Sequence, residues 1–270
     1  MANRRLKRGD AMASEFTSKV AIVTGSSGIG LGAALRLARG GARVFLCGID
    51  PVANAAAAQA AAGLTVTLHE VDVADEARVA AFIALVKSQA AVVDILVNAA
   101  AIQAYGTIET TTTAAWDRVM AVNLRSCFLM SHYAYPLMKP RGAGSIIHIS
   151  SVQGHANQNN VLAYATSKGA LHAMTRAMAV DCARDNIRVN SVSPGSVRTP
   201  LLEYSARQIA GAGVDIEETI AGFGRAHPIG RVGTVAETSE LIAYLASDKA
   251  GFCTGGDYLI DGGLMAHAEV

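Results

Sequence analysis

The chain has 270 residues, 51% of them hydrophobic, with 26 glycines, few aromatics and a formal net charge of +1. Apolar material on this scale suffices for the core of one large α/β domain or two small ones, and the near-zero charge argues against nucleic acid or an anionic membrane as main partner. The four cysteines, Cys47, Cys127, Cys182 and Cys253, lack metal-ligand spacing, so free thiols in a reducing compartment and no metal site are expected, and no apolar run reaches membrane-spanning length.

Residues 1–15 are locally basic, with Arg4, Arg5, Lys7 and Arg8, but lack the apolar segment of a secretory signal and any hydrophobic periodicity. They read as a disordered extension to a domain spanning 16–270, in a soluble, cytoplasmic protein. Val20–Thr24 is a short β-branched run closed by a glycine cluster, after which Gly28–Gly40 reads as an Ala-rich helix stopped by glycine. Strand Val44–Cys47, helix Val52–Ala62, strand Thr65–Val71, helix Glu76–Ser88 and strand Val92–Val97 follow in turn.

One long helical pattern runs from Thr113 to Met138, and Ile146–Ser150 is a buried strand. Tyr164–Arg184 is helical, Ile187–Val192 a strand, Val235–Ala246 a helix and Tyr258–Ile260 a last strand. Nearly continuous apolar strands alternating with helices predict an α/β fold: one doubly wound domain whose parallel sheet is covered on both faces. The stretch 201–228, glycine-rich with weak helical signals, departs from this alternation and reads as a lid insertion over a site.

Two features carry chemistry. Gly25, Ser27, Gly28, Ile29 and Gly30 lie where the first strand meets the first helix. Glycines there let the backbone approach a pyrophosphate, and a helix N-terminus offers N–H donors, although the GxGxxG spacing is absent. Asp72 and Val73 end the third strand and Asn98 the fourth, at the carboxyl edge of the sheet where open α/β folds bind ligands. The second feature is Tyr164 and Lys168, at i and i+4 on one helix face, downstream of Ser151. An ammonium beside a phenol favours the phenolate, so a depressed Tyr164 pKa and an acid/base role are expected. His148 and His155 flank Ser151, but no serine-hydrolase elbow accompanies them.

Taken in order, Thr24–Gly30, Asp72–Val73, Asn98–Ala100, Val122–Leu124, Ile149–Ser151, Tyr164–Lys168, Ser193–Pro200 and the Thr254–Gly263 region resemble the short-chain dehydrogenases/reductases from about Lys19 to Gly263. That resemblance implies a Rossmann domain with a seven-stranded parallel sheet, commonly a homotetramer, and an NAD(P)-dependent oxidoreductase of alcohols and carbonyls. It places Asn123, Ser151, Tyr164 and Lys168 in the catalytic tetrad, with Asn123 positioning a water between Lys168 and solvent. Gly25, Ile29, Asp72, Val73, Asn98, Tyr164, Lys168, Pro194, Gly195, Val197 and Thr199 fall on dinucleotide-binding positions.

Neither cofactor signature of the family is present: Gly48 stands where NAD-preferring members carry an acid, and Ile49 and Ser27 where NADP-preferring members carry a base. Asp50, about 20 residues beyond Gly30, is the candidate ribose ligand. With no cation for a 2′-phosphate, NAD is expected ahead of NADP. Between Ser151 and Tyr164 lie Gln153, His155, Asn157, Gln158, Asn159 and Asn160, and amides suit a hydroxyl-rich ligand. With Gln103, residues Ser151, Gln153, His155 and Tyr164 are the candidate substrate contacts. The stretches Ser150–Gln153 and Ala163–Lys168, together with His227–Gly233, further resemble the family's sugar dehydrogenases, which points to a sugar, sugar acid or polyol, a small polar molecule. The alternatives are an NADPH-dependent 3-oxoacyl reductase and a catalytically silent dinucleotide sensor.

Overall fold

The computed structural model describes residues 15–210 and 215–267. The extension expected at the N-terminus therefore falls outside the described residues as far as residue 14. Glu15 does not belong to it: its carboxylate pairs with Arg36 at 2.7 Å and Lys249 at 2.6 Å.

Seven strands form one parallel sheet in the order β3-β2-β1-β4-β5-β6-β7. They are β1 (Val20–Thr24), β2 (Arg43–Gly48), β3 (Val66–Glu70), β4 (Ile95–Asn98), β5 (Gly144–Ile149), β6 (Ile187–Pro194) and β7 (Asp257–Ile260). The order reverses between β1 and β4, whose register pairs Thr24 with Asn98. A crevice opens at such a switch point because the two flanking connections leave in opposite directions. Thr24 Oγ1 accepts hydrogen bonds from Ala99 N (2.9 Å) and Ala100 N (3.0 Å), joining the two strand ends that border it.

The pleat divides the core. Ala21, Val23, Ile95, Val97, Ile147 and Ile149 face one side, against α1 (Gly28–Arg39) and α9 (Val235–Ala246). Ile22, Leu96 and Ile146 face the other, against α3 (Glu76–Gln89), α5 (Ser126–Met138) and α6 (Leu162–Cys182). Local chemistry sets the helix starts. Asp50 caps α2 (Pro51–Ala60), accepting from Val52 N and Ala53 N; Asp75 caps α3; Thr234 and Glu237 form a reciprocal capping box on α9.

The long helix expected from Thr113 to Met138 is interrupted. α4 (Thr113–Met120) gives way to a π-helical segment, Ala121–Arg125, before α5 begins, and Ser126 N donates to Ala121 O five residues back. The widened turn carries Asn123, 1% exposed. Its side chain donates to Ile102 O and accepts from Ile102 N, both at 2.9 Å. A contact with a segment twenty residues away thus overrides the periodicity that local sequence sets.

Between β6 and α9 the chain forms α7 (Pro200–Ala210) and α8 (Ile216–Arg225). Among the described residues no helix is long and apolar enough to cross a membrane. All four cysteines are free, three of them buried.

Candidate active site

A cavity of about 770 Å³ lies at the carboxyl edge of the sheet, spanning the switch point. One half is bordered by Gly25–Ile29, Gly48–Asp50, Asp72 and Val73; the other by Gln103, Ser151–Gln153, Ala156–Gln158, Tyr164 and Lys168. Leu201, Leu202, Ser205 and Phe223, from α7 and α8, close its outer side.

The glycine turn is built for close approach. Gly25 has φ +92°, and a Cβ there would press on Ala99 and Ala100 at 3.3 Å. Gly30 does not border the cavity; a Cβ on it would overlap the Gly25 carbonyl oxygen, so its part is to let α1 start directly under the turn. Ser27, the N-cap of α1, makes no side-chain cap hydrogen bond. The first-turn N–H groups therefore lack a side-chain acceptor and point the positive helix end at the cavity, which fits a pyrophosphate.

The end of β2 differs from expectation in a way that sequence alone does not reveal. Gly48 bears no side chain because its space is filled: a Cβ would collide with Ser26 Oγ and Asn54 Oδ1. Asp50 borders the cavity, but its Oδ1 is engaged as the α2 cap, at 2.8 Å to Val52 N and 3.0 Å to Ala53 N. Asp72 also lines the cavity; Oδ1 accepts from Ala74 N, and Oδ2 lies 3.4 Å from Arg118 on α4. Arg118 is a cavity residue that nothing in its helical surroundings marks out.

Asn98 does not reach the cavity. It is 2% exposed and turned into the protein, its Nδ2 donating to His148 Nδ1 at 3.2 Å and lying 3.4 Å from Ser131 Oγ. The residues after it, Ala99 to Ile102, line the wall instead. Period-two alternation at the strand end decides this. Asn123 is likewise behind the wall, fixing Ile102.

At the other end, Ser151, Tyr164 and Lys168 come together on the cavity wall and are respectively 8%, 7% and 2% exposed. Ser151 caps the short turn Val152–Gly154, accepting from Gln153 N at 3.1 Å. Lys168 Nζ donates to Ile149 O at 2.7 Å and lies 5.4 Å from the Tyr164 ring centroid. Burial pushes the Tyr164 phenol up to about 12, the Ser151 hydroxyl pulling partly against it. This reverses the depressed pKa expected from the i, i+4 pairing: desolvation is the largest cause, and the Lys168 ammonium, engaged by Ile149 O, does not offset it. The same burial pushes Lys168 down to about 8. A phenol, a hydroxyl and an ammonium at one end of a cavity form a set able to exchange a proton with a ligand oxygen.

Gln103 and Gln153 border this end, and Gln103 Nε2 and Gln153 Oε1 are buried without a hydrogen-bond partner. His155 is absent from the wall: its Nε2 donates to Asp257 Oδ2 at 2.7 Å and its ring stacks on His172 at 4.3 Å. Pro194, Gly195, Val197 and Thr199 all border the cavity, as do Ser196 and His227, which lie in the quoted motifs but are not among the candidate site residues. His227 accepts from Ser196 N at 3.0 Å and donates to Phe223 O at 2.8 Å, joining β6's exit to α8.

A family model described as enoyl-(acyl carrier protein) reductase matches residues 23–265. The uncharacterized oxidoreductase YxbG of Bacillus subtilis is 38% identical over 93% of this chain and 92% of its own. Cis-4-hydroxycyclohexanecarboxylate dehydrogenase of Sinomonas cyclohexanicum is 36% identical over 94% of this chain and all of its own. Among solved structures, the ligand-free aldohexose dehydrogenase of Thermoplasma acidophilum superposes with a TM-score of 0.87 at 34% identity, covering 95% of this chain and 98% of that one.

Proposed function

Because the chain belongs to the short-chain dehydrogenase/reductase family and is an NAD(P)-dependent dehydrogenase acting on CH–OH groups, we propose that it oxidises a secondary hydroxyl of a sugar, sugar acid or polyol, with NAD preferred. The observation that carries the substrate class is the pair of unpartnered amide atoms, Gln103 Nε2 and Gln153 Oε1, in the cavity wall beside Ser151 and Tyr164. A buried donor or acceptor left unsatisfied costs about 1–3 kcal/mol. Gln103 Nε2 and Gln153 Oε1 have almost no accessible surface as the side chains stand, so a ligand that supplies both an acceptor and a donor removes these penalties by drawing the amides toward the cavity; a simple alcohol removes fewer. Leu201, Leu202, Phe223, Leu264 and Met265 also line the cavity and are apolar, which suits the C–H face of a sugar ring.

In this reading Ser151 donates a hydrogen bond to the substrate oxygen and steadies the charge that develops there. Tyr164 Oη takes the hydroxyl proton during oxidation and returns it during reduction. Burial holds the phenol up to about 12, which makes it a poor base by itself, and Lys168, with its Nζ 5.4 Å from the ring centroid, is the cation the chain places beside it. Asn123 positions the wall by pinning Ile102 next to Gln103. The nicotinamide, when bound, supplies the hydride chemistry. Gly25–Ile29, Asp72, Val73, Val197 and Thr199 hold the dinucleotide, and α7 and α8 act as its lid. NAD is favoured because Gly48, Ile49, Asp50 and Ala53, at the end of β2, include no cation to receive a 2′-phosphate.

The test is a panel of aldohexoses, aldonic acids, polyols, cyclohexanols, short hydroxy acids and 3-oxoacyl thioesters, each assayed with both cofactors at equal concentration. The highest kcat/KM is expected for a polyhydroxylated compound with NAD. A higher value for a monofunctional alcohol or an oxoacyl thioester would overturn the substrate class, and faster turnover with NADP the cofactor preference.

A further inference from the structure

Outside the cavity, three side chains from distant parts of the chain bring their donor atoms close together. His155 follows the turn after Ser151, His172 stands one helical turn beyond Lys168 on α6, and Asp257 opens β7. One donor atom from each of His155, His172 and Asp257 lies within 4.8 Å of the other two. His155 Nε2 is 2.7 Å from Asp257 Oδ2, and His172 Nε2 is 3.6 Å from the same oxygen. We infer that these three residues form a binding site for one divalent transition metal of the zinc type.

Bonds of about 2.0–2.2 Å place the ligands of tetrahedral zinc about 3.3 Å apart. The two measured edges bracket that distance, and seating an ion would turn the stacked imidazoles out of their 4.3 Å contact and replace the 3.1 Å hydrogen bond between His172 Nε2 and Ser193 Oγ. Two imidazole nitrogens and one carboxylate oxygen favour zinc, cobalt or nickel over magnesium or calcium, which prefer oxygen alone.

The surroundings hold the carboxylate in the orientation a metal requires. Asp257 Oδ1 accepts from Ser191 Oγ at 2.5 Å and Ser193 Oγ at 2.8 Å, which leaves Oδ2 facing the histidines. Such outer hydrogen bonds orient a metal-binding carboxylate. A Cβ at Gly154 would strike His172 Cε1, so only glycine lets the turn pass this close to the ring. The His172 side chain is 6% exposed and that of Asp257 15%, whereas His155 is 37% exposed and marks the entry side. Three protein ligands leave a fourth position for water.

A seated ion would displace the proton shared by His155 and Asp257. It would also tie the segment after Ser151 to both α6, which carries Tyr164 and Lys168, and β7. Metal would then set the rigidity of one wall of the cavity without entering it.

The test uses the full-length chain, stripped with chelator and titrated with zinc chloride by calorimetry and with cobalt chloride by visible absorption. One saturable equivalent per chain is expected, with proton release, a tetrahedral cobalt spectrum and a raised thermal midpoint. His155→Ala, at the exposed ligand, should abolish that equivalent while the circular dichroism spectrum stays native. Ser191→Ala should weaken binding about 10–100-fold through the carboxylate. Absence of saturable binding, or binding of equal strength in His155→Ala, as a thiol site at Cys253 would give, overturns the inference.

Discussion

Tyr164 shows how far a residue's chemistry depends on what surrounds it. Its spacing to Lys168 places phenol and ammonium on one helix face, and that much was legible from the sequence. The sign of its pKa shift was not, because spacing says nothing about desolvation: the phenol is 7% exposed and held up to about 12. Tyr164→Phe retains the ring and the packing and removes only the proton acceptor. Its kcat is expected to fall about 10²–10⁴-fold, the usual contribution of a positioned acid/base, while the dissociation constant for NAD, followed by fluorescence titration, stays within about twofold. Near-normal turnover would take the phenol out of the mechanism. Asn98 and His155 teach the complementary lesson. Both sit at the right places in the chain, yet one turns inward to His148 and the other sideways to Asp257. Side-chain direction at a strand end or in a loop is set by contacts that have no local signature.

At the scale of an element, Asp50 performs a task that its position after β2 conceals. It starts α2 by accepting two backbone N–H groups, and it also borders the cavity where the adenosine ribose is proposed to lie. Two substitutions separate these duties. Asp50→Ala loses the cap and should lower unfolding free energy by about 1 kcal/mol in urea denaturation. Asp50→Asn keeps an accepting oxygen and should leave stability within about 0.5 kcal/mol, while removing the negative charge and raising kcat/KM for NADP relative to NAD. An unchanged cofactor ratio in Asp50→Asn would confine Asp50 to the cap. The π segment at Ala121–Arg125 is the element least accessible to periodicity, since the pattern on either side remains helical. Only the two-way hydrogen bonding of Asn123 with Ile102 shows why the turn widens there.

For the whole molecule, His148 carries a pH dependence. Its side chain is fully buried in β5, where Asn98 of β4 donates to it, and burial with the nearby Lys168 charge pushes it down to about 4 from 6.5. The unfolded chain therefore binds the extra proton first. Between pH 6.5 and 4 the unfolded state holds more protons than the native one, so stability falls as pH drops through that window. Complete protonation of this one residue corresponds to about 3 kcal/mol. His148→Gln retains an acceptor for Asn98, and its urea-unfolding curves between pH 7 and 4 should show a shallower loss than those of the parent chain. Parallel losses in the two proteins would assign the acid sensitivity to other groups.

The sequence by itself determined the sheet-and-helix alternation, the single parallel-stranded domain and the chain positions at which a nucleotide turn and a Tyr–Lys pair occur. These rest on periodicity, glycine placement and short-range spacing, and all three are local properties of the chain. Tertiary structure alone decided which of those residues share a cavity, why Gly48 has no room for a side chain, and that Gln103 and Gln153 are left with unpaired amide atoms at its wall. It alone brought His155, His172 and Asp257 close together. Burial and convergence of donors arise from packing between segments far apart in the chain, and the order of residues along one segment does not encode them.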